Sequence, residues 1–191
     1  MSHAIDTGAL HEKLFVLEHL AFGSRGYCDS NGLDTFGATG YLEPLSPSSF
    51  TKSVVSTYTI EIAVRLRILL DHAYTLDKPS TKKLEDQATT GLRISYNQKQ
   101  SSNLGTSSLD LRETLNKVIH AEIVSVNLNP DNDGTSDTHY WDGQVQVEGV
   151  YNGKRWRHAI EIAPWCKACR RLLNALMRDD KLAGLGWNNG F

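Results

Sequence analysis

The sequence predicts a mainly α-helical fold, a bundle of about four helices with an appended β-hairpin, in a single domain over residues 1–191. Apolar residues recur along four segments with the period of one helix face. An Asn-Gly pair stands between two alternating stretches, which is the strongest short-range hairpin signal. The composition is ordinary for a globular chain, with 40% hydrophobic and 22% charged residues, so a chain of this length can bury a core.

Charge and composition exclude several classes of protein. The chain carries 20 Lys and Arg against 22 Asp and Glu, a net charge of −2, so it is not a uniformly basic nucleic-acid binder. There is no run of about 18 apolar residues, and the first eight residues lack the apolar centre of a signal peptide. Three cysteines argue against a disulfide scaffold. We therefore expect a cytoplasmic protein that does not act at a membrane.

Leucine-rich stripes predict the first two helices. The apolar positions from Leu10 to Ala21 predict a helix that ends at Gly23. The stretch Gly23–Ser49 is rich in Gly and Pro and is predicted as an irregular surface connection. A longer stripe predicts the second helix over Ser53–Leu76. These two helices supply half of the expected bundle.

The middle of the chain is predicted to hold one long loop and one helix. Residues 78–107 are polar and are predicted as a loop that a strand-like piece, Leu92–Tyr96, interrupts. Ser108 is expected to open the third helix, with acidic residues in the first turn where the helix dipole favours them. This helix is predicted to run into Ile123 or Val124.

The segment Gln144–Ile162 is predicted to form the β-hairpin. The turn falls on Asn152 and Gly153, and a two-residue turn places Glu148 opposite Arg157. Such a cross-strand pair of opposite charges contributes about 0.2–1 kcal/mol. Because an isolated hairpin is marginal in water, its apolar face is expected to pack on the helices.

A polar stripe on the third helix gives the clearest indication of function. Arg112, Asn116 and His120 are spaced by four residues and share one face beside the core stripe. An imidazole moves protons near neutral pH, and a guanidinium holds a phosphate through two hydrogen bonds. An amide can orient the imidazole or donate to a phosphate oxygen. This set suits phosphodiester cleavage without a metal or cofactor.

The segment Leu111–Ala121, LRETLNKVIHA, resembles the motif helix of HEPN domains. Those are small α-helical bundles, often dimeric, found in RNA-cleaving toxins and defence proteins. The resemblance implies a metal-independent endoribonuclease in which His120 serves in acid–base chemistry, Arg112 binds phosphate and Asn116 positions these groups. It also implies a homodimer whose paired site forms where two motif helices meet.

The chain departs from the HEPN pattern at two points. Seven residues separate Arg112 from His120, and Glu113 rather than Asn or Asp follows the arginine. Family members without the full motif are often non-catalytic nucleotide-binding or interaction modules. A non-catalytic module that binds RNA, a nucleotide or another protein is therefore the alternative function.

A basic strip follows the hairpin turn. Residues 154–171 carry six Lys and Arg against one Glu, and cations interleaved with aromatic rings are suited to contact an RNA backbone and stack its bases. Arg65 on the second helix is expected to reach the groove beside the Arg112, Asn116 and His120 stripe. The same charges could instead dock on an acidic protein partner, or keep the hairpin solvated. The residues predicted to contact RNA are Arg65, Lys154, Arg155, Trp156 and Arg157.

Two cysteines near the start of the final helix suggest a third function. Trp165-Cys166 followed by Cys169 resembles the active-site segment of thioredoxin-like proteins, which implies thiol chemistry. Only 22 residues follow Cys169, too few for the rest of that fold. The same cysteines could form half of a structural zinc site, or simply be buried in the core. We expect no metal and no cofactor.

Overall fold

The computed structural model describes residues 5–30, 47–97, 109–130 and 139–179. Within these ranges the fold class predicted from the sequence, a helical bundle with an appended hairpin, is confirmed. In chain order the elements are α1 (Thr7–Ser30), α2 (Pro47–Leu76), α3 (Lys78–Thr89), β1 (Ser95–Asn97), α4 (Leu111–Ile119), β2 (Ile123–Pro130), β3 (His139–Tyr151), β4 (Lys154–Glu161) and α5 (Ile162–Arg178).

Helix α1 contains the predicted apolar stripe but continues beyond the predicted end. Oδ1 of Asp6 accepts the N–H of Ala9 at 2.9 Å, which caps the helix start. The predicted end at Gly23 is wrong. Ser24 is buried, and its hydroxyl donates to the carbonyl of Trp141 at 2.7 Å, so packing outweighs the helix penalty of about 1 kcal/mol for glycine. The connection predicted over 23–49 is therefore helical at both ends, and residues 31–46 lie outside the described residues.

The loop predicted over residues 78–107 begins instead with helix α3. Oδ1 of Asp77 accepts the N–H of Ser80 at 3.0 Å, and Pro79 occupies the first turn. The buried face of this helix contains Thr81, Glu85 and Ala88. Because two of these three side chains are polar, hydrophobic periodicity does not reveal the helix. Residues 98–107 of the predicted loop lie outside the described residues.

Helix α4 is shorter than predicted because a strand follows it. Oδ1 of Asp110 accepts the N–H of Glu113 at 2.7 Å, so Asp110 rather than Ser108 caps the helix. The predicted extension into Ile123 or Val124 is wrong. The segment that begins at Ile123 is strand β2, in which β-branched residues alternate along the edge of the sheet.

The predicted hairpin and its register are confirmed, and the sheet is larger than the hairpin. Asn152 has φ +50° and Gly153 φ +74°, as a two-residue hairpin turn requires. Strands β3 and β4 place Glu148 opposite Arg157, and an ion pair of 2.8 Å joins them. Strands β1 and β2 complete an antiparallel sheet of four strands in the order β1-β4-β3-β2.

The core lies between one face of the sheet and the helices. Val145, Val147 and Ile160 point from this face and are fully buried. Helix α4 packs on α2, while α5 packs on both α1 and α3. Among the described helices, none is long and apolar enough to cross a membrane. The arrangement leaves the hairpin turn and the carboxyl end of α4 at the surface.

Candidate functional site

The guanidinium of Arg112 is held by helix α2. Its Nη2 lies 2.8 Å from Oδ1 of Asp71, and the guanidinium carbon stands 4.6 Å from the centre of the Tyr74 ring. The side chain is 29% exposed, and its Nη1 is buried without a hydrogen-bond partner. The charge that would bind a phosphate is therefore already paired with a carboxylate and stacked on an aromatic face.

Asn116 and Arg112 belong to one polar cluster between α2 and α4. Nη1 of Arg67 donates to Oδ1 of Asn116, and Nε of Arg67 donates to Oδ2 of Asp71 at 3.0 Å. The carboxylate of Asp71 thus joins two guanidinium groups, one from each helix. Since Arg112 contacts Asp71 and Asn116 contacts Arg67, helix α4 runs antiparallel to α2. The cluster fixes the position of α4.

The cluster continues from Tyr74 into helix α3. The Tyr74 hydroxyl donates to Oε2 of Glu85 at 2.8 Å, and Glu85 is only 1% exposed. Burial, together with this carboxylate, raises the pKa of Tyr74 to about 12. The phenol therefore stays protonated at physiological pH and keeps donating to Glu85. Sequence reasoning missed Glu85, because it falls in a segment that was predicted as a loop.

His120 lies apart from that cluster, at the carboxyl end of α4. Its backbone N–H donates to the carbonyl of Asn116 at 3.0 Å, and the residue is exposed. In the described part of the chain, no hydrogen bond or ion pair involves its imidazole. The structure therefore brings Arg112 and Asn116 together but leaves the His120 side chain at the surface beyond them.

The hairpin packs against the same end of α4. The Trp156 ring covers Gly149 so closely that a Cβ on this glycine would lie 2.5 Å from Cζ2 of the tryptophan. The ring also meets Lys117 of α4, whose Nζ is 4.3 Å from the ring centre. The same Cβ would lie 3.1 Å from the backbone oxygen of His120. Trp156 therefore sits between the hairpin and the helix.

Two further residues of the hairpin share the face of Trp156. Tyr151 pairs with Lys154 across the turn, and both side chains alternate onto this face. Tyr151 is 71% exposed, and Lys154 is also exposed. Five residues together form the α4–hairpin surface: Lys117, His120, Tyr151, Lys154 and Trp156.

The other predicted RNA-contacting residues lie elsewhere. Arg155 and Arg157 alternate onto the opposite face of the hairpin, where Arg157 is paired with Glu148. Arg65 belongs to a charge cluster between α1 and α2. Nζ of Lys13 lies 2.9 Å from Oε2 of Glu61. This contact lowers the pKa of the Glu61 carboxyl, and the positive charge of Arg65 lowers it further. The cations of the predicted basic strip are thus divided between two faces of the hairpin, which carry three of them, and helix α5, which carries Lys167, Arg170 and Arg171.

The cysteines of α5 are packed in the core. Cys166 and Cys169 are free thiols with no exposed surface. Burial raises the pKa of both thiols well above the ordinary value, which suppresses the thiolate that redox chemistry and metal binding need. Among the described residues, no group of three or more His, Cys, Asp or Glu is placed to hold a metal. This geometry favours a packing role for both residues.

Comparisons with protein-family models, with curated proteins and with solved structures found no match to this chain. The roles of the residues above therefore depend on their geometry and on physical argument.

Proposed function

We propose that this protein is an RNA-binding module that contacts its ligand through the α4–hairpin surface. The observation that carries the proposal is the contact of Lys117 with Trp156, because it joins helix and hairpin into one face. Lys117 and Lys154 can neutralise phosphates, and the exposed ring of Tyr151 can stack on a base. Aromatic stacking of this kind needs an unpaired base, so a single-stranded ligand fits best.

Paired side chains argue for binding ahead of cleavage. Arg112 would have to leave Asp71 before it could hold a phosphate, and a hydrogen bond to a charged group contributes about 1.5–3 kcal/mol. The amide oxygen of Asn116 already accepts a hydrogen bond from Arg67, which ties this side chain to α2. The polar pair predicted as catalytic is thus better suited to hold α4 in place.

Metal-independent RNA cleavage is the second candidate, and the exposed imidazole of His120 favours it. His120 lies one turn from Lys117 on α4, so a proton-transferring group stands beside a phosphate-binding one. A single imidazole cannot be both acid and base at once, so this candidate needs a second copy of the chain. Both proposals include RNA as the ligand and the cytoplasm as the location of the protein.

A homodimer is supported by exposed apolar residues on α2. Ile60, Val64 and Ile68 are spaced by four residues and are 39%, 38% and 43% exposed. Helix geometry places them next to Arg67 and Asp71, which contact α4. A second copy that covers this stripe would bring two α4 helices close together. Light scattering after size-exclusion chromatography tests this, and Val64→Asp should convert a dimer to a monomer.

The binding proposal is tested with labelled single-stranded RNA of mixed sequence and fluorescence anisotropy at several salt concentrations. Lys117→Ala and Lys154→Ala should each weaken binding and lower the slope of log K against log salt by about 0.7. Lys83→Ala is the control, because Lys83 is an exposed cation on α3. Binding that is insensitive to salt, or equal losses in all three variants, would contradict the proposal.

The cleavage candidate is tested with the same RNA in the presence of EDTA. Wild type and His120→Ala are compared by gel analysis of the products. Cleavage by the wild type that the variant lacks would support a ribonuclease with its site at the end of α4. Binding without cleavage by either protein would leave the binding module as the function.

A further inference from the structure

A cavity of about 340 Å³ lies away from the α4–hairpin surface and shares no residue with it. Three elements meet around it: α1 at Ala21 and Phe22, the start of β3 at residues 142–144, and the junction of β4 with α5 at residues 161–164. This volume falls at the lower end of the range of small-molecule sites, roughly 300–1,000 Å³.

The wall that β3 contributes is held firmly against α1. The hydroxyl of Ser24 donates to the carbonyl of Trp141 at 2.7 Å, and Nε1 of Trp141 donates to the carbonyl of Gln144 at 2.7 Å. Gly143 turns the strand with φ +78°, and a Cβ there would lie 3.4 Å from Cβ of Ala21. The wall is thus preformed, which reduces the ordering cost of binding a ligand.

The lining combines an apolar floor with negative charge. Phe22, Ala163 and Pro164 supply apolar surface, and Phe22 is 73% exposed, whereas the Ile162 side chain is fully buried. Two carboxylates, Asp142 and Glu161, also line the cavity, whereas none of its described lining residues is basic. Glu161 stands at the start of α5 without capping it, and within the described ranges it makes no ion pair. Its carboxylate is an acceptor that this part of the fold leaves unused.

We propose that this cavity binds a small organic ammonium ion with an aromatic body. The ammonium group would be bound by Glu161, and the aromatic body would pack on Pro164 and on the ring of Phe22. A hydrogen bond to a charged carboxylate is about twice as strong as a neutral one, and two aromatic rings attract each other beyond the apolar area that they bury. An anion is disfavoured because two carboxylates line the cavity, although the start of a helix alone would attract one.

The test uses phenethylammonium as the probe, with isothermal titration calorimetry for affinity and protein NMR for location. Glu161→Gln keeps the shape but removes the charge, and we expect it to weaken binding about tenfold. Glu122→Gln is the matched control, because Glu122 is an exposed carboxylate outside the cavity. Phenylacetate and 2-phenylethanol lack the ammonium group. Their affinity for the wild type should be no higher than the affinity of phenethylammonium for the Glu161→Gln variant.

Phe22→Ala provides a second test that is independent of the start of α5. Phe22 is largely exposed, so its removal should leave the fold intact and weaken phenethylammonium binding several-fold. Equal affinity in wild type and Glu161→Gln, or no binding to the wild type, would overturn the proposal. Tighter binding of N-acetyl-lysine methylamide than of phenethylammonium would also overturn it, because the site would then recognise a polypeptide side chain.

Discussion

Replacement of Gly149 by alanine should disrupt the contact between the hairpin and α4. The added Cβ would lie 2.5 Å from Cζ2 and 2.8 Å from Cε2 of Trp156, and 3.1 Å from the backbone oxygen of His120. Ordinary contacts of a Cβ begin near 3.4 Å, so the indole must move by about 0.9 Å. Lys117 of α4 contacts the same ring, with its Nζ 4.3 Å from the ring centre, so a shift of the indole changes the contact between hairpin and helix.

The expected cost follows from this geometry. Overpacking of a well-packed site costs about 1–3 kcal/mol, and alanine recovers some of it because glycine weakens a strand. We therefore expect the free energy of unfolding of Gly149→Ala to fall by about 1–2 kcal/mol. Urea denaturation followed by tryptophan fluorescence measures this change. The same variant should lose RNA affinity, since Lys117 and Trp156 no longer form one face.

Gly26→Ala is the matched control. Gly26 lies in α1, and a Cβ there would meet nothing within 4 Å. Alanine in a helix interior is favoured over glycine by about 0.5–1 kcal/mol, so this variant should be more stable than the wild type. Equal stability of Gly149→Ala and wild type, with unchanged RNA affinity, would refute the role assigned to Trp156.

Three further predictions follow from the polar cluster and from α5. Asp71→Asn should lower the free energy of unfolding by about 0.5–1.5 kcal/mol, because Arg112 loses a charged partner that is 47% exposed and therefore screened by solvent, and chemical denaturation measures this loss. The raised pKa of Tyr74 stabilises the fold fully below pH 10, so stability should decrease as the pH rises from 10 to 12, and Glu85→Gln should weaken this dependence in pH-resolved denaturation. In a Cys28→Ser background the two cysteines of α5 should react with a disulfide reagent only as fast as the protein opens, whereas rapid reaction in native buffer would contradict their burial.

The sequence predicts well those parts of the fold that local signals determine. The hairpin register follows from Asn152 and Gly153 alone, because a two-residue turn fixes every pair beyond it. Helix α3 was missed because its buried face includes Glu85, whose partner Tyr74 lies on another helix. Strand β2 was missed because no glycine or proline separates Ile119 from Ile123, so the helical pattern can be continued past the end of α4 and only pairing with β3 shows where the period changes.

The candidate site was predictable in part for the same reason. The spacing of Arg112, Asn116 and His120 is visible in the sequence, and so is the shared helix. Their partners on α2 are not visible, because Asp71 lies 41 residues from Arg112 and no local pattern connects them. The contact of Lys117 with Trp156 joins two elements that lie far apart in the chain. Such long-range pairs determine which cations are already bound to groups of the protein and which remain available to bind a ligand.

The length of α4 links ligand binding to local folding. Nine residues are too few for a helix to persist alone in water, where roughly 12–15 are needed even for favourable sequences. Helix α4 therefore persists because its apolar face is buried in the core and because Arg67 and Asp71 contact it from α2. A ligand that binds Lys117 and His120 only while α4 is docked raises the free energy of opening by RT ln(1 + [L]/Kd), where [L] is the free ligand concentration. Amide hydrogen exchange in α4 should slow as the ligand saturates its site, so the exchange rate of this short helix measures how much of the site is occupied.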